Sequence, residues 1–143
     1  MKRTATFLTL AIMTIAAYAQ SARVNNTWIE HRPDGLRIHV NMDAWNLQGC
    51  PVEVTCYFWF DDGRMVKSTD GQYQAPNRQV CTSTTVYPPY QSTNWSDLKL
   101  WIPMSQIKDK VGTRYFKCRV EVFNYHNFLA KGNYVNFWIN KSR

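Results

Sequence analysis

The regular alternation of side chains between residues 50 and 63, CPVEVTCYFWFDDG, constrains this chain most. Two sets of residues alternate there, Val52, Val54, Cys56, Phe58 and Phe60 against Glu53, Thr55, Tyr57 and Trp59. A period of two puts successive side chains on opposite faces of a β-strand. Asp62 and Gly63 tolerate the positive φ angles of a tight hairpin. The segment therefore predicts a central strand that ends in a hairpin.

Similar segments follow one another along the rest of the chain. They predict strands at residues 25–31, 36–43, 79–87, 98–102, 116–122 and 135–139, separated by turn and loop residues rich in Gly, Pro and Asp. Residues 64–67 allow a brief edge strand, and residues 124–132 are expected to form a loop. One short helix is predicted at residues 104–111, before the sixth strand, with Gly112 past its end. About seven short strands indicate an all-β protein, an antiparallel two-sheet sandwich.

The first 19 residues have the composition of a signal peptide. Lys2 and Arg3 precede an apolar run at residues 7–17, and Ala17 and Ala19 supply the small residues of a cleavage site. The run is shorter than the roughly 20 residues that span a bilayer. We therefore expect a cleaved signal at residues 1–19, a single domain at residues 20–143, no membrane span, and a periplasmic or secreted product.

The formal net charge of +7 does not by itself indicate a polyanion partner. Nucleic-acid-binding domains usually concentrate Lys and Arg in a run or on one helix face. In this chain the basic residues are scattered singly along the sequence. The charge therefore favours solubility, and we predict no nucleic-acid partner.

The order and spacing of the strands resemble the immunoglobulin-like architecture over nearly the whole of residues 20–143. The segments DGLRIHVNMDAW, DDGRMVKSTDGQY and DLKLWIPMSQI also look similar to small exported β-sandwich domains of Bacteroidota that have no assigned activity. Cys56 and Cys118 are separated by an immunoglobulin-like interval, although Cys56 lies on the third predicted strand. The resemblance implies an envelope or secreted accessory protein and transfers no catalytic residue.

Four cysteines, Cys50, Cys56, Cys81 and Cys118, lie after the signal, and an even count in an exported domain favours disulfides. We predict a bond between Cys56 and Cys118, which leaves Cys50 to pair with Cys81. The register that opposes Cys56 to Cys118 also sets Glu53 against Glu121, an unfavourable pair of like charges. There are two alternatives. The register can slip by two residues, so that Glu53 faces Arg119 and the two sulfurs are separated, or the cysteines can remain buried free thiols.

The sequence contains no constellation that indicates an enzyme. There is no GxSxG motif, and His31, His39 and His126 fall on an edge strand, an outer face and a loop. The adjacent Asp61 and Asp62 point to opposite faces of a strand and suit a hairpin better than an acid–base pair. A calcium site formed by Asp61, Asp62 and Asp70 is less favoured than solvated turn aspartates. We predict no catalytic residue, no cofactor and no metal, since no His lies near the cysteines at zinc-site spacing.

An aromatic outer face is the main functional indication in the sequence. If the third, sixth and seventh predicted strands are neighbours, one sheet face carries the predicted binding residues Tyr57, Trp59, Tyr115, Lys117, Arg119, Tyr134 and Trp138, together with Glu53, Glu121 and Phe123. In the expected register Trp59 lies opposite Tyr115. Exposed aromatic platforms with polar neighbours suit sugar rings or a protein partner. We therefore predict a non-catalytic recognition domain for a glycan or a protein. A structural or assembly component of the cell envelope that forms homo-oligomers through the same face is the alternative.

The signal peptide generates the first testable prediction. Protein recovered from the periplasm or the culture medium should begin at Gln20, because cleavage is expected after Ala19. Intact-mass spectrometry measures this directly. A mass that retains residues 1–19 would contradict the prediction.

Overall fold

The computed structural model describes residues 19–107 and 112–141, which form two antiparallel sheets packed face to face. These residues include eight strands: β1 (Ser21–Arg32), β2 (Gly35–Trp45), β3 (Val52–Phe60), β4 (Cys81–Val86), β5 (Ser92–Pro103), β6 (Gly112–Asn124), β7 (Asn127–Lys131) and β8 (Val135–Lys141). The smaller sheet has the order β1-β2-β5. The larger sheet has the order β4-β3-β6-β7, and β8 also pairs with β6. The predicted all-β sandwich is confirmed, with eight described strands instead of about seven.

The hydrophobic core lies between the inner faces of the two sheets. The alternating positions of β2 and β3 are fully buried: Leu36, Ile38, Val40, Met42 and Ala44 on one strand, and Val52, Val54, Cys56 and Phe58 on the other. Phe116 on β6 stacks on Phe60 and on Phe137, each at 5.4 Å between ring centroids. Burial of this apolar surface is the dominant stabilising term in such a fold. Because the even-numbered residues of β3 and β6 face inward, their odd-numbered residues face solvent.

The register between β3 and β6 differs from the predicted one by two residues. Cys56 lies opposite Val120, and Cys118 lies opposite Phe58. The predicted alignment of Cys56 with Cys118 is therefore wrong. The observed register places Glu53 opposite Phe123 and so avoids the Glu53–Glu121 pair that the predicted alignment required.

All four cysteines are free thiols in this structure, so neither predicted disulfide is present. Cys56 and Cys118 are neighbours in the core, and burial together with a hydrogen bond to Cys118 holds the pKa of the Cys56 thiol well above its ordinary value. Cys81 pairs with Tyr57, whereas Cys50 precedes β3, whose first residue, Val52, pairs with Val86 at the other end of β4. Val52 and Tyr57 are five positions apart on β3, which is roughly 16 Å at about 3.3 Å per residue. Cys50 and Cys81 therefore lie toward opposite ends of the β3–β4 pair.

Strand β7 occupies part of the segment that was predicted to be a loop. It forms a hairpin with β6 through Tyr125 and His126, whose φ angles are 47° and 70°. Hairpins with two positive φ angles usually use Asn or Gly at those positions, so Tyr125 and His126 carry no local turn signal. Strands β7 and β8 follow one another along the same side of β6 and are separated at residues 132–134. A Cβ on Gly132 would lie 2.9 Å from Cγ1 of Val24, so this break packs closely against β1.

The predicted helix at 104–111 is not found in its described part. Met104–Gln106 is a single 3₁₀ turn, in which the Ile107 amide donates to the Met104 carbonyl at 3.2 Å. Residues 108–111 lie outside the described residues. So does most of the predicted signal peptide, residues 1–18. The described part of the chain contains no helix with the length and apolar character needed to cross a membrane.

His39 ties the three strands of the smaller sheet together on its outer face. Its Nδ1 lies 2.6 Å from Asp97 Oδ1 on β5, and its Nε2 lies 2.9 Å from Glu30 Oε1 on β1. The ring also stacks on Trp28 at 5.1 Å, which leaves His39 only 8% exposed. A neutral imidazole has one N–H, so only an imidazolium donates to both carboxylates. His39 therefore faces outward as predicted but is covered by its neighbours.

This cluster should make the protein sensitive to acid. Hydrogen bonds from His39 hold the pKa values of Glu30 and Asp97 below their ordinary values of 4.5 and 3.8. Such carboxylates stabilise the fold above the unfolded pKa, and this stabilisation is lost as the pH falls through the lower, folded pKa. We expect the melting temperature to fall as the pH decreases below about 5, and His39→Gln to make that fall shallower. Circular dichroism melts at stepped pH measure both effects.

His126→Asn is a matched control for that experiment. His126 is an exposed turn residue with a positive φ, which Asn tolerates. The control variant should keep the acid dependence of the unaltered protein. The same acid dependence in His39→Gln as in the unaltered protein would contradict a role for the His39 contacts.

Candidate functional site

The outer face of the larger sheet carries the aromatic residues that the sequence predicted there. We call the residues Tyr57, Trp59, Tyr115, Phe123, Tyr134 and Trp138 the aromatic face. Strands β3, β6 and β8 are neighbours in the order β3-β6-β8, as expected. Outward-facing side chains consequently align in rows that cross the three strands. The aromatic face is therefore a property of adjacent strands and not of one segment.

Three rows define the site. The first contains Asp61, Tyr115 and Trp138, since the Asp61 amide donates to the Tyr115 carbonyl at 3.1 Å and Tyr115 pairs with Trp138. The second contains Trp59, Lys117 and Asn136. The third contains Tyr57 opposite Arg119, with Tyr134 beside them from the break before β8. Adjacent rows are two residues apart along a strand, which is roughly 7 Å.

The second and third rows form a packed cluster of rings and cations. The Arg119 Cζ lies 4.7 Å from the Tyr134 ring centroid and 5.6 Å from that of Trp59. The Lys117 Nζ lies 4.5 Å from the Tyr134 centroid. Tyr134 also meets Trp59 edge to face, at 5.4 Å and 83°. Tyr134 thus reaches across β6 and holds two cations against the sheet.

Arg119 is held mainly by these rings. Its side chain is 20% exposed, and its Nη2 lies 3.4 Å from Glu121 Oε2, at the long end of hydrogen-bonding distances. Its Nε is buried and has no hydrogen-bond partner among the described residues. A cation over an aromatic face gains more when it is shielded from water. The rings of Trp59 and Tyr134 therefore supply much of what stabilises this guanidinium.

The first row is the exposed part of the aromatic face. Tyr115 and Trp138 are each 57% exposed and lie directly opposite each other on β6 and β8. With Asp61 and Asn136 they line a shallow pocket of about 260 Å³, whose other lining residues are Phe116 and Phe137. Across the described part of the chain, the Asp61 carboxylate makes no hydrogen bond or ion pair, so it is available to a ligand.

The structure brings all seven predicted binding residues onto one face but changes their arrangement. The predicted opposition of Trp59 and Tyr115 is wrong, because Trp59 faces Lys117 and Tyr115 faces Trp138. Tyr57 and Trp59 are half-buried, whereas Tyr134, Tyr115 and Trp138 are exposed. The seven residues therefore divide into a packed cluster and an exposed pair.

Sequence reasoning missed two polar residues of the pocket, Asp61 and Asn136. The sequence pattern predicts that Asp61 belongs to the hairpin, although Asp61 continues the outward period of Tyr57 and Trp59. Asn136 lies between Tyr134 and Trp138 in the same outward set of β8. The period of two along each strand therefore predicts that both side chains lie on the outer face.

Two ionisable groups on the β3 and β4 side of the site have raised pKa values. Burial, with smaller contributions from Cys81, Glu121 and Glu53, raises the pKa of Tyr57 to about 12. Burial also raises the pKa of the Cys81 thiol to about 11, which keeps the thiol protonated and weakly nucleophilic near neutral pH. In residues 19–107 and 112–141, no three His, Cys, Asp or Glu side chains are placed to hold a metal ion. The arrangement can stack on rings and donate or accept hydrogen bonds.

No protein-family model matches the chain, and no curated protein has a significantly similar sequence. Function must therefore be inferred from the side chains of the aromatic face and their surroundings.

The packed cluster predicts energetic coupling between Arg119 and Trp59. A double-mutant cycle of Arg119→Met and Trp59→Leu should give a coupling free energy of about 0.5–2 kcal/mol, the range for exposed to shielded cation–π contacts. Met keeps most of the apolar stem of Arg119, so the cycle isolates the charge. Urea unfolding of the four proteins measures it. In a control cycle that combines Arg119→Met with Tyr90→Ala, a change at a distant exposed residue, the two changes in the free energy of unfolding should add. If they also add in the cycle with Trp59→Leu, the Arg119–Trp59 contact does not contribute to stability.

Proposed function

We propose that this protein is an exported, non-catalytic recognition domain that binds a glycan through its aromatic face. The exposed pair Tyr115 and Trp138 is the observation that carries the proposal. The two side chains lie opposite each other on neighbouring strands, and polar groups of Asp61 and Asn136 flank them. Soluble proteins rarely expose large apolar patches without a use.

The chemistry of the first row favours a sugar ring. The flat face of an aromatic ring packs on the apolar C–H face of a pyranose, while the hydroxyls at the ring edge need hydrogen-bond partners. The Asp61 carboxylate accepts hydrogen bonds, and the Asn136 amide both donates and accepts them. The pocket of about 260 Å³ is near the lower limit for small-molecule sites, which suits a single ring.

The neighbouring rows extend the surface on which a longer glycan would lie. Lys117 adjoins Asn136 in the second row, and Tyr134, 44% exposed, stands beside both. The three rows together span roughly 14 Å along the strands. We propose that the exposed pair binds one sugar unit and that Tyr134 and Lys117 contact the next.

Assembly through the same face is the second candidate function. Among the described strands, β8 is hydrogen-bonded to β6 alone, so its other edge is not part of the larger sheet. Unpaired strand edges are sites at which another chain can add. An envelope component would use this edge and Trp138 together, and self-association would then replace glycan binding.

We also propose that the sandwich belongs to the immunoglobulin-like class and reaches the periplasm or the exterior. The strand order supports the first point: β1, β2 and β5 share one sheet, and β3, β6 and β8 share the other, as strands A, B and E and strands C, F and G do in that class. Strand β4 pairs with β3 instead of joining the first sheet. The signal-like residues 1–19 support export, in keeping with the resemblance to exported domains of Bacteroidota.

Glycan binding should depend on the exposed pair and not on the stability of the fold. Trp138→Ala and Tyr115→Ala should each weaken binding by about 2 kcal/mol or more, as is typical of interface anchors. Their melting temperatures should change little, because both side chains are largely exposed. The measurement is a glycan array with the unaltered protein, followed by calorimetric titration of the best-bound oligosaccharide and a melting curve for each variant.

Tyr90→Ala is the matched control, because Tyr90 is also largely exposed but lies in the loop between β4 and β5. It should bind as the unaltered protein does. If Trp138→Ala melts at a lower temperature but binds the oligosaccharide normally, the Trp138 ring stabilises the fold and does not contact the glycan. Sedimentation over a concentration series tests the second candidate, since a dimer that Trp138→Ala dissociates would favour assembly.

A further inference from the structure

A second candidate site lies at the opposite end of the larger sheet from the exposed pair. Glu53 on β3 pairs with Thr85 on β4 and with Phe123 on β6, so these three residues form one row of the outer face. Together with Pro51, Tyr125 and His126 they line a pocket of about 260 Å³. Glu53 and Asp61 are eight positions apart in the sequence, roughly 26 Å along the strand. This pocket is therefore separate from the one beside Tyr115 and Trp138.

The carboxylate of Glu53 has no ion-pair partner. Its Oε1 accepts a hydrogen bond from the Thr55 hydroxyl at 3.3 Å, and among the described residues the carboxylate makes no other hydrogen bond. Lys131 on β7 does not line the pocket and forms no ion pair with Glu53. Burial is the main reason why the pKa values of Tyr57 and the Cys81 thiol are raised, and the charge of Glu53 adds to both. The pocket therefore contains a negative charge that acts on its surroundings.

The other walls of the pocket are mainly rings. Phe123 meets Phe128 edge to face, at 6.0 Å and 69° between the rings, and Tyr125 is 71% exposed. Pro51 adds a third apolar ring to the lining. The buried Asn124 donates from Nδ2 to the Pro51 carbonyl at 2.8 Å, which fixes the end of β6 against the start of β3. The carboxylate and the rings are therefore held on one framework.

The turn that carries Tyr125 and His126 is strained. Both residues have positive φ angles, 47° and 70°, which are uncommon for bulky side chains. Asn and Gly adopt such a turn far more easily. Residues in unfavourable backbone conformations cluster at binding sites, where their side chains are needed in a fixed place. The strain therefore indicates that the tyrosine and histidine side chains of this turn have a use beyond the fold.

The polar groups of the lining determine what kind of ligand fits. The Glu53 carboxylate, the Thr85 hydroxyl and a neutral His126 ring can each accept a hydrogen bond, and the described lining includes no Lys or Arg. A primary ammonium group has three N–H donors and a positive charge, so it complements all three acceptors. An ammonium group is also attracted to aromatic faces, and its methylene groups can pack on the rings.

We propose that this pocket binds the primary ammonium group of a small alkylamine. The ammonium group donates hydrogen bonds to Glu53, Thr85 and His126, and the alkyl chain packs on Phe123 and Tyr125. This site is independent of glycan binding at the exposed pair.

Amide chemical-shift titrations of the unaltered protein test this proposal with three probes: n-butylammonium chloride, 1-butanol and ammonium chloride. Butylammonium should shift the amides around Glu53 and the β6–β7 turn and saturate, and its affinity should fall as salt is raised. The other two should each bind at least about tenfold more weakly, since butanol lacks the charge and the ammonium ion lacks the alkyl chain. Equal binding of butanol or of the ammonium ion overturns the proposal.

A repaired turn separates a role in binding from a role in the fold. Tyr125→Asn combined with His126→Gly supplies the residues that such turns prefer and removes both side chains from the pocket. The melting temperature should rise, while the dissociation constant of butylammonium should rise about fivefold or more because a ring and an acceptor are lost. A turn that serves the fold alone would leave the constant unchanged, and that result overturns the proposal.

Glu53→Gln tests the carboxylate itself. Glu53 is exposed, so the variant should fold normally, and Gln keeps the size of the side chain without its charge. The dissociation constant of butylammonium should rise about tenfold. Asp34→Asn is the matched control, because Asp34 is an exposed acid in the turn between β1 and β2 of the smaller sheet, and it should leave the constant unchanged. An unchanged constant in Glu53→Gln, or an equal loss in Asp34→Asn, overturns the proposal.

Discussion

The pairing of β3 with β6 is the interaction on which the rest of this structure depends. Both strands alternate strictly, so one set of side chains builds the core around Phe58 and Phe116 while the other set builds the aromatic face. A slip of one residue would turn each core side chain to solvent, at a large loss of buried apolar area. The same pairing places Asp61 beside Tyr115, which brings a carboxylate to the exposed ring.

The period of two predicts which face a residue occupies but not its position along the neighbouring strand. A slip of two residues leaves every side chain on its face, so the hydrophobic pattern cannot distinguish the two registers. Only cross-strand neighbours can do so, and the Glu53–Glu121 conflict was the sole local sign that the predicted register was unfavourable. For this reason the pattern predicts the correct face for all seven predicted binding residues, whereas the predicted cross-strand partner of Trp59 is wrong.

The remaining differences arise where tertiary contacts override local signals. The β6–β7 turn uses Tyr125 and His126 at positive φ, which no local preference suggests. At the break before β8, Gly132 packs closely against Val24, a contact between residues far apart in the chain. The β6–β8 register, which sets Cys118 opposite Val135, places Tyr134 beside Arg119. Sequence patterns therefore gave the members of the packed cluster but not its geometry.

The division of the aromatic face into a packed and an exposed part has a physical consequence for binding. Trp59, Arg119 and Tyr134 restrain one another, so the middle of the face is ordered before any ligand arrives. Ordering side chains during binding opposes affinity, and a surface that is already ordered avoids that loss. Tyr115 and Trp138 lie in the next row on the same rigid strands and retain most of their area for contact. A carbohydrate, whose hydroxyls are well hydrated, gains little per contact and therefore benefits most from such a fixed surface.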